Sequence, residues 1–178
     1  MTIDDLIKED SNFSESGFIA KVDNTFIMLL TAIMTDNIKR VEHKISSDLF
    51  NKYKGVLDEL NKNNERQMYD ELNVKSTSIQ SIEKENNKYV IKVLLTSRYM
   101  DYVVDKKTGD YKRGINNQRV EKDNYLTFEK IINAKDEGVV KTCPGCGANV
   151  DFNSSGVCNY CGATFDTQNY DWILTDIS

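Results

Sequence analysis

From Phe18 onward, apolar residues recur at helical spacing. Phe18, Val22, Phe26, Leu30 and Ile33 form one stripe, widened by Ile19, Ile27 and Met34. Ser14 precedes the stripe as a capping residue, and Phe13 and Phe18 are placed to close a hydrophobic staple around it. The pattern predicts a long, largely buried helix. A shorter helical stretch follows over Asn37 to Lys44. Ser47 then caps a third helix, whose apolar face is Leu49, Tyr53, Val56, Leu57 and Leu60 and whose wet face is Lys52, Lys54, Asp58, Glu59 and Lys62. The polar run Asn61 to Arg66 ends it.

Beyond Leu72 the period changes. Val74 to Ile82 is rich in β-branched residues, Glu85 to Lys88 is a polar turn, and Tyr89 to Val104 is the strongest strand signal in the chain. That last run is long for a strand, so a bend or bulge is expected in it. Asp105 to Gly109 reads as a hairpin loop closed by a glycine in the left-handed region. Further strand material lies at Tyr111 to Lys112 and between Arg119 and Asn133, with Tyr125, Leu126, Phe128, Ile131 and Ile132 as its apolar side chains. Asn133 to Lys141 reads as a linker. Helices first and a strand meander afterwards is the α+β arrangement, with helices on one face of an antiparallel sheet. A curved sheet wrapped on the long helix makes a cone with a pocket at its open end.

The four cysteines change the picture at the C-terminal end. Cys143-Pro144-Gly145-Cys146-Gly147 and Cys158-Asn159-Tyr160-Cys161-Gly162 are two C-x-x-C-G knuckles. Two residues between the cysteines bring both sulfurs to one ion, and the following glycine takes the left-handed turn that this requires. One structural zinc held by Cys143, Cys146, Cys158 and Cys161 is the reading we adopt, in a small zinc ribbon. Four thiolates leave no open position for catalysis. Two disulfides or redox-active dithiols are the alternatives, and the absence of a secretory pattern in Met1 to Asp10 counts against the first. The chain then divides into an N-terminal extension (1–12), an α+β cone (13–136) and the ribbon with its apolar tail (137–178). Tyr170, Trp172, Ile173, Leu174 and Ile177 in that tail are too apolar to leave in water, which predicts a ribbon docked on the helices or sheet of the cone, or a dimer contact.

The net charge is −5, and the region after Val139 holds only Lys141 against Asp151, Asp166, Asp171 and Asp176. Neither part has the basic excess that drives phosphate binding, so nucleic acid is not a favoured partner. The longest apolar stretch, Phe26 to Met34, is interrupted by Thr31 and falls short of the ~20 residues that cross a bilayer. These features predict a cytoplasmic protein, monomeric or weakly dimeric.

Certain stretches resemble a known family. Asn12 to Asn24 (NFSESGFIAKVDN), Ser47 to Phe50 before a charged helix, Met100 to Asp105 (MDYVVD) leading to Thr108-Gly109, and a knuckle pair followed by Asn169-Tyr170-Asp171-Trp172-Ile173-Leu174 together resemble a bacterial member of the Tim44-like family. The resemblance runs from about Phe13 to Ile177. It implies a cystatin-like or nuclear-transport-factor-two-like cone, peripheral membrane association and recruitment of proteins at a translocation site. The acidic start of this chain is unlike the basic amphipathic helix that attaches proteins electrostatically to membranes.

Three functions follow as expectations. The first is a non-catalytic module binding an apolar ligand, lipid or protein segment, with Phe26, Leu30, Ile33, Tyr99 and Asp101 as the pocket. The second is a small-molecule enzyme of the isomerase or dehydratase type, in which Tyr99 donates and Asp101 abstracts a proton. The third is a zinc-ribbon adaptor for nucleic-acid machinery. Against the second, Asp101 also reads as a strand-end carboxylate and Tyr99 as core, and the only histidine, His43, lies in a charged stretch. The basic residues Lys106, Lys107, Lys112 and Arg113 read either as a solvated hairpin or as a contact for an acidic partner.

Overall fold

The computed structural model describes residues 1–132, 141–142, 146–150, 158, 160–162 and 171–178. Helix α1 (Ile3–Glu9) opens with a capping box, in which the Asp5 amide donates to Thr2 Oγ1 at 3.1 Å and the Thr2 amide donates to Asp5 Oδ2 at 3.0 Å. Leu6 buries it in the core, and Glu9 accepts hydrogen bonds from Lys84 Nζ and Tyr89 Oη, both at 2.7 Å. The segment read as an extension therefore contributes to the core. Its single buried apolar residue left no period to detect.

Helix α2 (Glu15–Met34) is capped by Ser14, whose Oγ accepts from the Gly17 amide at 3.2 Å, and the Phe13 and Phe18 rings staple its start at 5.7 Å. By length and composition it could cross a membrane, with a mean hydropathy of 1.4 over its apolar window, although the longest apolar run in the sequence is much shorter. Here its apolar face lies in the core: Phe18, Val22, Phe26, Leu29, Leu30 and Ile33 are buried. The short helix expected over Asn37 to Lys44 is a single 3-10 turn, Ile38–Val41. Helix α3 (Ser47–Lys62) is capped one residue earlier than expected. The Leu49 amide donates to Ser46 Oγ at 3.2 Å, because Ser46 is the residue with extended backbone.

Three long strands follow, β1 (Glu65–Glu85), β2 (Lys88–Asp105) and β3 (Tyr111–Ile131). They are joined by tight turns, the second closed by Gly109 at φ 78°. With β6 (Ile173–Ile177) they make a four-stranded antiparallel sheet in the order β1-β2-β3-β6. Two short strands, β4 (Lys141–Thr142) and β5 (Asn149–Val150), pair with each other apart from it. Helices on one face of an open antiparallel sheet are the expected α+β cone.

Burial follows the pleat of β2: Tyr89, Ile91, Val93, Leu95, Ser97 and Tyr99 alternate inward. The expected irregularities lie on the neighbouring strands. β1 carries register shifts at Asp70/Asn73, Val74/Ser76 and Ile79/Ser81. Strand β3, expected in two pieces, is one strand that leaves the ladder over Asn116 to Arg119: Ile115 pairs with Asp101 and Val120 with Tyr99. Gly114 sits beside this departure at φ 102°, and a Cβ there would lie 2.4 Å from the Asp101 carbonyl oxygen. Only glycine fits that crossing.

The apolar tail docks on the cone. Leu126 pairs with Ile177 and Glu129 with Ile173, so the tail is the fourth strand of the sheet. Trp172 is 7% exposed and packs edge-on against Phe13 and Phe18, with centroids at 6.0 and 5.1 Å. The backbone also joins Ser46 to Leu174, donating at 2.9 Å, which fixes the start of α3 to the same strand.

Candidate functional site

Two places gather chemistry. The first lies on the sheet around Asp101, towards the β2–β3 turn. Tyr69 and Tyr99 meet edge-on there with centroids 5.3 Å apart. Burial pushes the Tyr99 hydroxyl up to about 12, with the Asp101 carboxylate and then Tyr53 adding to it. Burial likewise raises Tyr69, followed by Tyr99, Asp101 and Tyr53. Both phenols stay neutral at physiological pH.

Outward from the tyrosines, a groove of about 630 Å³ opens among Gln67, Asp101, Val103, Ile115, Val120 and Lys122. Its volume is in the range of small-ligand sites. The Asp101 carboxylate accepts from Gln67 Nε2 at 2.8 Å and faces Lys122 Nζ at 3.8 Å. Gln67 in turn donates to the carbonyls of Met68 at 3.0 Å and Tyr102 at 3.2 Å, so its amide is locked against the sheet. Apolar Val103, Ile115 and Val120 lie between these polar groups, and Ile115 is 40% exposed.

The expected pocket residues separate. Phe26, Leu30 and Ile33 are buried in the core, where they fill the cone. Beside Ile33 there is space of only about 10 Å³, among Leu57, Leu60, Asn61 and Lys106. Tyr99 is core and Asp101 is in the groove, held by Gln67. Gln67, Val103, Ile115, Val120 and Lys122 were missed. Val103 and Val120 fall in expected strands but nothing in their pattern joins them, and the groove arises from the departure of β3, which the sequence marks only by Gly114.

Three of the basic hairpin residues are paired within the molecule. Arg113 makes a bidentate contact with Glu65 at 2.7 and 2.8 Å, Lys112 approaches the same carboxylate at 3.7 Å, and Lys106 binds Asp36 at 2.7 Å.

The second place is the cysteine cluster. The sulfurs of Cys146, Cys158 and Cys161 all lie within 4.8 Å of one another, with Cys146 and Cys158 at 3.8 Å. A tetrahedral ion with ~2.3 Å metal–sulfur bonds sets its ligands about 3.8 Å apart, so the donor set fits zinc. The Tyr160 amide points at Cys158 Sγ at 3.4 Å, and the Gly162 amide donates to the Cys158 carbonyl at 2.9 Å. Gly147 and Gly162 have φ of 74° and 73°, the left-handed turns expected after the second cysteine of each knuckle. Three cysteines are thus gathered where a metal ion could bind. Cys143, the fourth expected ligand, lies outside the described residues.

The Tim44-like domain model matches residues 1–138. The chain belongs to the Tim44-like domain family. Among solved structures, the crystal structure of the intermembrane space region of chloroplast protein ARC6 is similar, with a TM-score of 0.51 and 9% identity over 94% of this chain and 96% of that one. At that identity the likeness is one of fold alone. None of the curated proteins matches the chain. In this Tim44-like chain the match ends before the first knuckle, so the cysteine cluster lies outside the matched residues.

Proposed function

We propose that this Tim44-like protein is a non-catalytic binding module that receives a segment of a protein partner in the groove at the open end of its cone, at a membrane surface. The observation that carries the reading is the groove itself: apolar Val103, Ile115 and Val120 between the fixed polar groups of Gln67, Asp101 and Lys122. An extended peptide offers both apolar side chains and backbone amides to such a lining. Family membership supports recruitment at a membrane.

A photo-reactive benzoylphenylalanine replacing Ile115 tests this in cells. A crosslinked adduct of discrete mass should form there and be lost with Val120→Asp. The same probe replacing Val56, which is comparably exposed on α3, should not form it. Identical patterns at the two positions, or none at either, would refute the groove as the docking site.

The cysteine segment in this reading carries one structural zinc on Cys143, Cys146, Cys158 and Cys161. The bound ion fixes the two knuckle turns and does no chemistry of its own. Elemental analysis should give one zinc per chain, lost in Cys146→Ser and in Cys161→Ser, while far-ultraviolet circular dichroism shows the body still folded. Absence of stoichiometric zinc, with the thiols paired as disulfides, would overturn it. The division we favour accordingly keeps residues 171–178 with the body, because β6 belongs to its sheet.

A further inference from the structure

Three observations meet on one line of the fold. On both flanks of β2 the partner strands are irregular within the window Arg98 to Asp101. β1 gains a residue between Asp70 and Asn73, with Glu71 in the left-handed region at φ 53°, and β3 inserts Asn116 to Arg119 on the opposite flank. Bulges interrupt the ladder and concentrate bending where they occur. Two of them facing each other across one strand define an axis on which the sheet is weakest. Arg119 and Glu71 join the two bulges at 3.8 Å, but both are exposed and the pair adds little.

Beyond the axis lies a tip made of β1 up to Asp70, β2 from Asp101 and β3 up to Ile115. Among the described residues, the side-chain hydrogen bonds and ion pairs from this tip to the helices converge on the turn at Asp105 and Lys106. Lys106 Nζ donates to the Asp36 carboxylate at 2.7 Å and also to Asn61 Oδ1. Asn61 Nδ2 donates to both Asp36 oxygens at 3.1 and 3.0 Å. Asn64 Nδ2 donates to Asp105 Oδ2 at 2.9 Å, and the Lys106 amide donates to the Asn64 carbonyl at 2.8 Å. Burial works to raise the Asp36 carboxyl, and the hydrogen bonds from Lys106 and Asn61 outweigh it and hold the group below its usual range.

Helix α3 is tied to β6 at its start, through the Ser46–Leu174 backbone bond, and is held more lightly towards its end. Only Leu49 and Leu57 are buried in it, with Phe50, Tyr53 and Leu60 partly buried against the core, and it runs through Asn63 and Asn64 directly into β1. Helix and tip are therefore one continuous piece, while α2, with eight buried residues, stays with the rest of the core.

We propose that the C-terminal half of α3 and the sheet tip form a flap that swings about the bulge axis, with Lys106 as the latch that holds it to Asp36 at the end of α2. Opening would widen the small space between Ile33, Leu57 and Leu60 into the aromatic interior of Tyr53, Tyr69 and Tyr99. The flap stands on this geometry whatever occupies the groove.

Hydrogen–deuterium exchange on the full chain tests it. In Lys106→Ala, amides of 55–62 in α3 and of 65–70, 101–105 and 111–115 should exchange on the order of fivefold faster than in the parent, as for a local opening that has lost one hydrogen-bonded tie. Amides of 88–96 and 122–131 should keep their rates. Asn61→Ala, which leaves the Lys106–Asp36 pair in place, should act on the same segments to a smaller degree, and it carries the test if Lys106→Ala does not fold. Arg113→Ala, which breaks a contact inside the tip, should leave α3 unchanged. Parent rates throughout, or acceleration spread evenly over the whole sheet, would overturn the flap.

Discussion

The same three strands behave differently along their length. In the half next to α1, β2 and β3 bury Ile91, Val93, Leu95, Leu126 and Phe128 under the helices. In the half beyond Asp101, β3 is exposed at every position from Tyr111 to Arg119. The ladder is interrupted at the bulges and resumes beyond them, with Asp101 paired to Ile115 and Val103 to Arg113, so hydrogen bonding alone does not separate the halves. What separates them is cover: one half is the core of the fold, and the other is a surface held in shape by bulges and a clamp. The buried core and the candidate groove thus lie at different ends of one sheet.

The contrast is sharpest under mutation. Phe128→Ala removes a fully buried ring that packs edge-on against Phe18 at 5.6 Å, and it should cost about 3–5 kcal/mol in chemical denaturation. A loss below 1 kcal/mol would mean that the covered half is not the core. Gly114→Ala acts in the uncovered half through the backbone. It forces a side chain into a positive φ and against the Asp101 carbonyl, at a cost of about 1–3 kcal/mol. Its exchange signature should stay within 98–120, and the covered strands should keep their protection. If it loosens both halves equally, the two are one cooperative unit and the division fails.

This contrast also explains what could be read from the sequence. Helical period registers a face that is buried, so α2 was plain in Phe18, Val22, Phe26, Leu30 and Ile33, and the covered part of β2 in Ile91, Val93 and Leu95. Glu65 to Leu72 has only Tyr69 and Leu72 packed on the core, and Gly114 to Gln118 is exposed throughout, so neither carries an alternation that marks a strand. Knuckle spacing marked the cysteines because metal coordination constrains residue identity directly. The groove was half legible: Asp101 lies in it, but its other members were brought there by the departure of β3 from the ladder. The tail was recognised as apolar, whereas its role as β6 depended on an open edge of β3 that no local pattern reveals.

That last strand has a further consequence for the segment before it. The cysteine region leaves the sheet after Ile131 and returns at Ile173, opposite Glu129, so it is a loop with both ends anchored. Closing a loop of roughly forty residues costs only a slowly growing entropy, and tying Cys146 to Cys161 shortens the free length to roughly twenty-five. On the logarithmic law the difference is about 0.4 kcal/mol. A metal bound there would hold its own segment firmly and be almost unfelt by the sheet. The insertion can therefore acquire, lose or vary its contents while the domain that carries it stays the same.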